Sequence, residues 1–324
     1  MTPPDNPPSA DLPPNAAPSS GPPADPPPRT PAARLLGDRA TLGYLLVALS
    51  TVCFAANNNL AKESYQHGAS VDTVLVGRSW FLALLLALWF AALRSRPSFP
   101  RGMGRWVLFA VMLFSLNGWA LMSAFDRMSV SLSILIFYLF PFIVGLLAAA
   151  LRIERLRPAM LVGLAVAFFG LFLALDTEGE LDLLGVALAA LSALAISGNI
   201  LVSGKLFRRG MSPVSLALWV MIGASVVFAI TLASSGGFRW PDSGTGWWAY
   251  WGSVVFVGIA FIMFYAALDL LRESRTALVM NLEPIATIVM AVALFGEAFG
   301  ATQWAGAVLV VLAIVGVTLA GRKA

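Results

Sequence analysis

The sequence predicts an all-α integral membrane protein, with ten transmembrane helices in two inverted five-helix repeats behind a disordered N-terminal tail. Three observations carry that reading. Mean hydropathy is +0.82 and charged residues are only 12% of the 324, a composition outside the range of soluble domains. Apolar runs of bilayer-crossing length, roughly 18 to 24 residues, recur along the chain. Scarce polar landmarks also recur 143 residues apart: Lys62 and Lys205, Asp126 and Asp269, Ser131 and Ser274, Pro141 and Pro284, Glu154 and Glu297, Gly163 and Gly306. In a chain that is 59% hydrophobic, shared Leu or Ala would mean little, whereas matched Lys, Asp, Pro and Glu mark a tandem duplication.

Residues 1–40 hold 13 of the 20 prolines and no apolar stretch that a signal peptidase would read, so they are expected to form a disordered, Pro-rich cytoplasmic tail. A solvated tether suits this composition, and docking to an aromatic groove is the alternative. The expected spans are 41–61, 71–93, 104–124, 129–151 and 158–175 in a first repeat (41–177). They are followed by 183–204, 213–235, 247–268, 275–296 and 302–321 in a second (183–321).

Five spans per repeat is an odd number, so the second copy enters from the opposite side of the membrane and the repeats are inverted. Loop charge agrees. With the N-terminus inside, 17 of 21 basic residues fall on the cytoplasmic side, Lys62, Arg127 and Arg239 fall outside, and Arg78 lies within a span. This is the positive-inside pattern with both termini cytoplasmic. The basic pI of about 9.6 then reflects arginines facing anionic lipid and implies no nucleic-acid partner. The chain has one cysteine, Cys53, and one histidine, His67, so neither a disulfide, a metal site nor a cofactor is expected.

Function in such a chain resides in the polar groups it carries at membrane depth. A charge at the bilayer centre costs about 2.5 to 3.5 kcal/mol on insertion scales. Glu283 lies roughly 12 Å into span nine, is too short to snorkel, and should face a wet cavity or a buried partner. Arg78 either snorkels to the headgroups or faces the same path. Asn57, Asn58 and Asn59 turn through 300° of helix, so they cannot share one partner. Asn117, Asn199 and Asn281 lie inside spans three, six and nine, and together these amides suggest a polar vestibule, with helix-to-helix bonding as the alternative for each. Pro141 and Pro284 interrupt the paired spans four and nine, each freeing a backbone carbonyl near the midplane where access could alternate by bending. Trp119, Tyr138 and Tyr265 are deep enough to stack on a ligand, while Trp247, Trp248, Tyr250 and Trp251 read as an interfacial belt. Small residues at Gly163, Ala167 and Gly170, and at Gly306, Ala313 and Ala320, give stripes for a repeat interface or a homodimer contact.

The stretch from Tyr265 to Gly316, with small residues leading into span nine, Pro284 in mid-span, the Gly296-Glu297 pair and Gly306, resembles the second copy of the EamA domain of the drug/metabolite transporter superfamily. Pro141, Glu154 and Gly163 keep their places in a more diverged first copy, where Ile153 replaces the glycine and Phe140 stands opposite Glu283. Arg78 matches the basic residue common near the start of span two. The resemblance implies inverted bundles around a central cavity and transport of small metabolites, most often export of amino acids, with uptake of a vitamin-like or nucleotide-like compound as the alternative. Four-span multidrug members couple to protons through a carboxylate in their first helix. Spans one and six carry no internal acid here, so proton coupling would have to run through Glu283 or Asp72. A non-transporting scaffold or sensor, and an intramembrane enzyme, are the readings of other classes; an enzyme would need clustered acids, bases or metal ligands that the chain lacks.

Overall fold

A computed structural model describes residues 31–152, 158–174, 182–271, 279–280, 282–296 and 300–320. Its helices are α1 (Pro31–Gln66), α2 (Val71–Ala92), α3 (Gly104–Arg127), α4 (Val130–Phe137), α5 (Phe140–Ala150), α6 (Pro158–Ala174), α7 (Leu183–Phe207), α8 (Pro213–Ser234), α9 (Gly244–Leu270), α10 (Glu283–Phe295) and α11 (Ala301–Ala320). Helix starts follow local chemistry. Ser70, Ser129, Asp182, Ser212 and Ser243 each accept the backbone N–H three residues on, at the head of α2, α4, α7, α8 and α9, satisfying donors that a helix start leaves open. After α7 the chain turns at Gly210, whose φ of 88° suits a residue without Cβ, and Met211 N–H returns to the Leu206 carbonyl.

Among the described residues, seven helical stretches are long and apolar enough to cross a membrane, Val130–Ala150 counting as one, and three shorter apolar helices are Leu161–Leu173, Glu283–Phe295 and Ala301–Gly316. These occupy the ten expected positions, though α6 (17 residues) and the described part of span nine (Glu283–Phe295) are shorter than a full crossing, and α11 spans 20 residues. For span nine the reason is partly that residues 272–278 and 281 lie outside the described residues. α1 opens at Pro31, so the tail boundary expected at residue 40 falls inside a helix. Proline suits a first helical turn, and the Ala and Leu that follow are good helix formers. Residues 1–30 lie outside the described ones.

Spans four and nine are broken rather than smoothly kinked. Tyr138 and Leu139 separate α4 from α5, and Pro141 and Pro284 stand in the first turns of α5 and α10. A proline there sits where its missing N–H would be unpartnered anyway, so each span restarts at its proline.

The bundle is held by matched pairs of contacts. α1 packs on α9 and α7 packs on α3: Ser50 Oγ donates to the Ala260 carbonyl at 2.8 Å, and Ser192 Oγ to the Asn117 carbonyl at 3.2 Å. Asn57 hydrogen-bonds the Ser253 hydroxyl at 3.1 Å, and Asn199 donates to the Ala110 carbonyl at 2.8 Å. Gly43 abuts Leu271, as Gly185 abuts Met128. In all three pairs the residues of α3 and α9 differ by 143, but those of α1 and α7 differ by 142. A one-residue slip therefore separates the first helices of the two halves, which the uniform offset read from the sequence concealed. α2 packs on α8 and α6 on α11, the latter so closely that a Cβ on Gly170 would lie 2.7 Å from the Gly306 carbonyl oxygen. The small-residue stripes thus face each other.

Candidate functional site

A cavity of about 550 Å³ opens among these helices, within the size range of small-molecule sites. Its wall is largely phenyl and aliphatic, with Phe54, Phe114, Phe137, Phe140, Phe228, Phe261 and Phe264 among the lining residues. Seven pairs of lining positions are 143 apart: Asn57 and Ile200, Arg78 and Met221, Phe114 and Val257, Gly118 and Phe261, Leu121 and Phe264, Phe137 and Met280, Phe140 and Glu283. Outside the slipped α1 and α7, the two halves supply matching positions, and they differ in chemistry at Arg78 and Glu283.

Glu283 is the first residue of α10 and is buried. Its position at a helix N-terminus favours a carboxylate, because the free N–H groups there carry partial positive charge. Oε2 accepts from the Tyr138 hydroxyl at 2.9 Å and Oε1 from Asn58 Nδ2 at 3.2 Å. The same hydroxyl lies 3.4 Å from the Met280 carbonyl oxygen, just before the start of α10. Tyr138 thus contacts both the acid and the backbone leading into its helix. It packs edge-on against Phe137 at 5.6 Å and tilted against Phe140 at the same distance, which fixes the ring.

Arg78 lines the cavity from the second turn of α2 and does not snorkel away from it. Its Nη1 lies 2.9 Å from Met122 Sδ, a weak acceptor for a guanidinium. Among the described residues it makes no ion pair. It does not pair with Asp72 either: six residues turn a helix through about 600°, which puts the two side chains on different faces. Asp72 Oδ1 is itself buried without a hydrogen-bond partner.

The three asparagines diverge as their 300° fan requires. Asn57 and Asn58 line the cavity, while Asn59 turns to the carbonyls of Ala55 and Thr287 at 2.9 and 3.2 Å and serves packing. Asn117 lines it too, with its amide committed to Ser192 Oγ at 2.8 Å.

A family model for EamA-like transporters matches the chain twice, over residues 41–175 and 183–319. The chain belongs to the EamA-like transporter family. It is also similar to the uncharacterized transporter YcbK of Bacillus subtilis (strain 168), 28% identical over 284 residues that cover 82% of this chain and 89% of that one. A solved protein crystal structure, 20% identical, superposes with a TM-score of 0.60 over 88% of this chain and 99% of its own, which supports the fold alone. This EamA-like transporter is therefore a multi-pass integral membrane protein.

Within the EamA-like fold, several residues proposed from sequence lie elsewhere. Trp119 is 38% exposed and is not among the lining residues, since its helix turns Asn117, Gly118, Leu121 and Met122 inward instead. Asn199 spends its amide on α3, and its neighbours Ile196 and Ile200 face the cavity. Pro141 lines the cavity, whereas Pro284 is buried beneath Glu283 and does not. Asn281 and the Tyr265 side chain lie outside the described residues. α2 and α8 also contribute to the walls, through Leu75, Ser79 and Leu82 and through Met221 and Phe228. The phenyl wall was missed altogether. Phenylalanine is common in any membrane helix, and only pairing the positions 143 apart would have flagged it.

Proposed function

We propose that the protein is a secondary transporter that exports a small zwitterionic metabolite of amino-acid type with an apolar body, by alternating access. One observation carries the substrate class: a mostly apolar cavity rich in phenyl rings holds one cation, Arg78, without an ion-pair partner among the described residues, and one carboxylate, Glu283. A half-buried cation at membrane depth whose side chain meets only a thioether calls for a counter-ion, and a substrate carboxylate supplies it. Glu283 offers the opposite pole to an ammonium group or to a proton, and the rings accept the apolar remainder. Inverted five-helix repeats are supported by the reciprocal contacts of α1 with α9 and α7 with α3. Cytoplasmic termini in a bacterial inner membrane are supported by the distribution of arginines, and the outward direction follows the family resemblance.

Proteoliposomes loaded with a mixed metabolite pool, assayed by mass spectrometry with and without a pH gradient, test this reading. The expected result is selective loss of zwitterions from the lumen, abolished by Arg78→Ala. Movement of dianions or neutral sugars instead would overturn the substrate class.

A further inference from the structure

At one end of the bundle Lys62, near the end of α1, donates to the Phe125 carbonyl and lies 3.4 Å from that of Asp126 and 3.3 Å from that of Met128. These are carbonyls at the C-terminal end of α3, where helical donors run out and the helix dipole is negative. An ammonium group is the natural cap for them. Its position also matters for topology. α1 is packed on α9 and α3 on α7 by the matched contacts above, and both pairs line the cavity. Lys62 therefore joins the two pairs about one helical turn beyond the lining residues Asn58 of α1 and Met122 of α3, at one end of the cavity.

The other end lacks that bridge. α9 finishes as α3 does: Met128 and Leu271, 143 residues apart, are both extended and both return their N–H to the carbonyl four residues back, Ala124 and Ala267. The receiving carbonyls are thus built in the same way. Lys205, the sequence counterpart of Lys62, instead lies 3.4 Å from the Trp106 ring centroid, at the start of α3. The one-residue slip between α1 and α7 accounts for this, because one residue is 100° of helix and swings Lys205 onto the helix that α7 already packs against.

We propose that Lys62 is a one-sided gate, whose release from the α3 carbonyls opens its end of the cavity and whose engagement sets the resting bias between the two access states. The proposal rests on the alternating-access reading above. It assigns to Lys205 an anchoring role on Trp106 and no part in that bias.

The test uses the full-length protein in membrane vesicles of both orientations, with Cys53→Ala and a reporter, Ser79→Cys, on the cavity wall. A membrane-impermeant maleimide is applied from each face. Lys62→Gln is expected to raise the rate of labelling from the Lys62 face at least fivefold relative to the opposite face, whereas Lys62→Arg, which keeps the donors, and Lys205→Gln stay within twofold of the parent. Should the Gln variant not remain monodisperse, Lys62→Met, with its apolar stem, serves in its place. A labelling ratio unchanged by loss of the Lys62 charge, or shifted equally by Lys205→Gln, overturns the gate. Labelling reachable from both faces but indifferent to Lys62 removes the gate alone; labelling confined to one face in every variant, together with no solute movement, removes alternating access as well.

Discussion

The Tyr138 hydroxyl donates to Glu283 across 145 residues of sequence, at 2.9 Å, and so ties the break in span four to the break in span nine. A hydrogen bond to an ionised carboxylate contributes about 1.5 to 3 kcal/mol. If Glu283 holds the substrate ammonium, Tyr138→Phe leaves the carboxylate one donor short and misaimed. The expected effect is a rise in KM of about tenfold with a smaller change in maximal rate, measured by counterflow in proteoliposomes. Glu283→Gln, which keeps the shape but removes the charge, should lower transport at least tenfold across pH 5 to 8. Wild-type rates in both variants would leave Glu283 a structural residue.

Arg78 and Met221 occupy matching positions on the packed helices α2 and α8, and both line the cavity. Replacing Arg78 by Met makes the two helices alike there and removes the proposed counter-ion for a carboxylate. Loss of a charged hydrogen bond of about 1.5 to 3 kcal/mol predicts roughly 10- to 150-fold weaker substrate binding, read by isothermal titration in detergent. Folding should tolerate the change, because the guanidinium touches only a thioether among the described polar groups.

Asn59 and Asn58 are neighbours with separate duties. Asn59→Leu loses bonds to two carbonyls and is expected to cost about 0.6 to 1.7 kcal/mol of stability, the span measured for hydrogen bonds between membrane helices, with transport preserved. Asn58→Leu should instead depress transport, because it strips a donor from Glu283. Paired thermal melts and transport assays separate the two.

Gly170 packs against the backbone of α11, with Gly306 O 2.7 Å and Val310 N 3.0 Å from where a Cβ would stand. Both are main-chain atoms that cannot rotate away, so Gly170→Ala forces the helices apart. A loss of about 1 to 3 kcal/mol follows for overpacking, seen as a lower melting temperature in detergent. Gly316→Ala, with nothing within 4 Å of its Cβ position, is the neutral control.

Outside the membrane-spanning segments, the backbone N–H of Gly185, and then Arg127 at 3.2 Å, hold the Asp182 carboxyl below its usual range. A depressed folded-state pKa gives stability that is present above the unfolded value and is lost as pH falls through the folded one. Asp182→Asn keeps a cap acceptor but not the charge. The difference in melting temperature between wild type and variant should therefore be largest near neutral pH and vanish once the carboxylate is protonated, below the usual carboxylate range.

Residues that the bilayer penalises were legible in the sequence. Glu283, Arg78, Asn57, Asn58 and Asn117 all line the cavity, because a polar group at membrane depth persists only where something answers it. Apolar residues were not legible in this way. A phenyl ring is equally at home against lipid, a neighbouring helix or a cavity, and these helices are apolar all round, so no stripe showed which face of α2 or α8 turns inward. Trp119 misled for the same reason. The register slip was hidden because a shift of one residue changes which neighbour an asparagine or lysine meets without changing the residue types. Asn57 and Asn199 are the matched pair in space, although the constant offset sets Asn57 against Ile200.

A chamber with two perfectly equal halves would accept any ligand in two poses, one the reverse of the other, and a molecule could tumble between them in transit. The difference of Arg78 from Met221 and of Glu283 from Phe140 abolishes that degeneracy. Under the proposed function, a zwitterion seated there takes a single heading, with its anionic head toward α2 and its cationic head toward α10. The protein thus presents a polarised slot whose sense is fixed by the chain, and an enantiomer or a homologue with a longer spacing between its charges would meet the same walls in the wrong order.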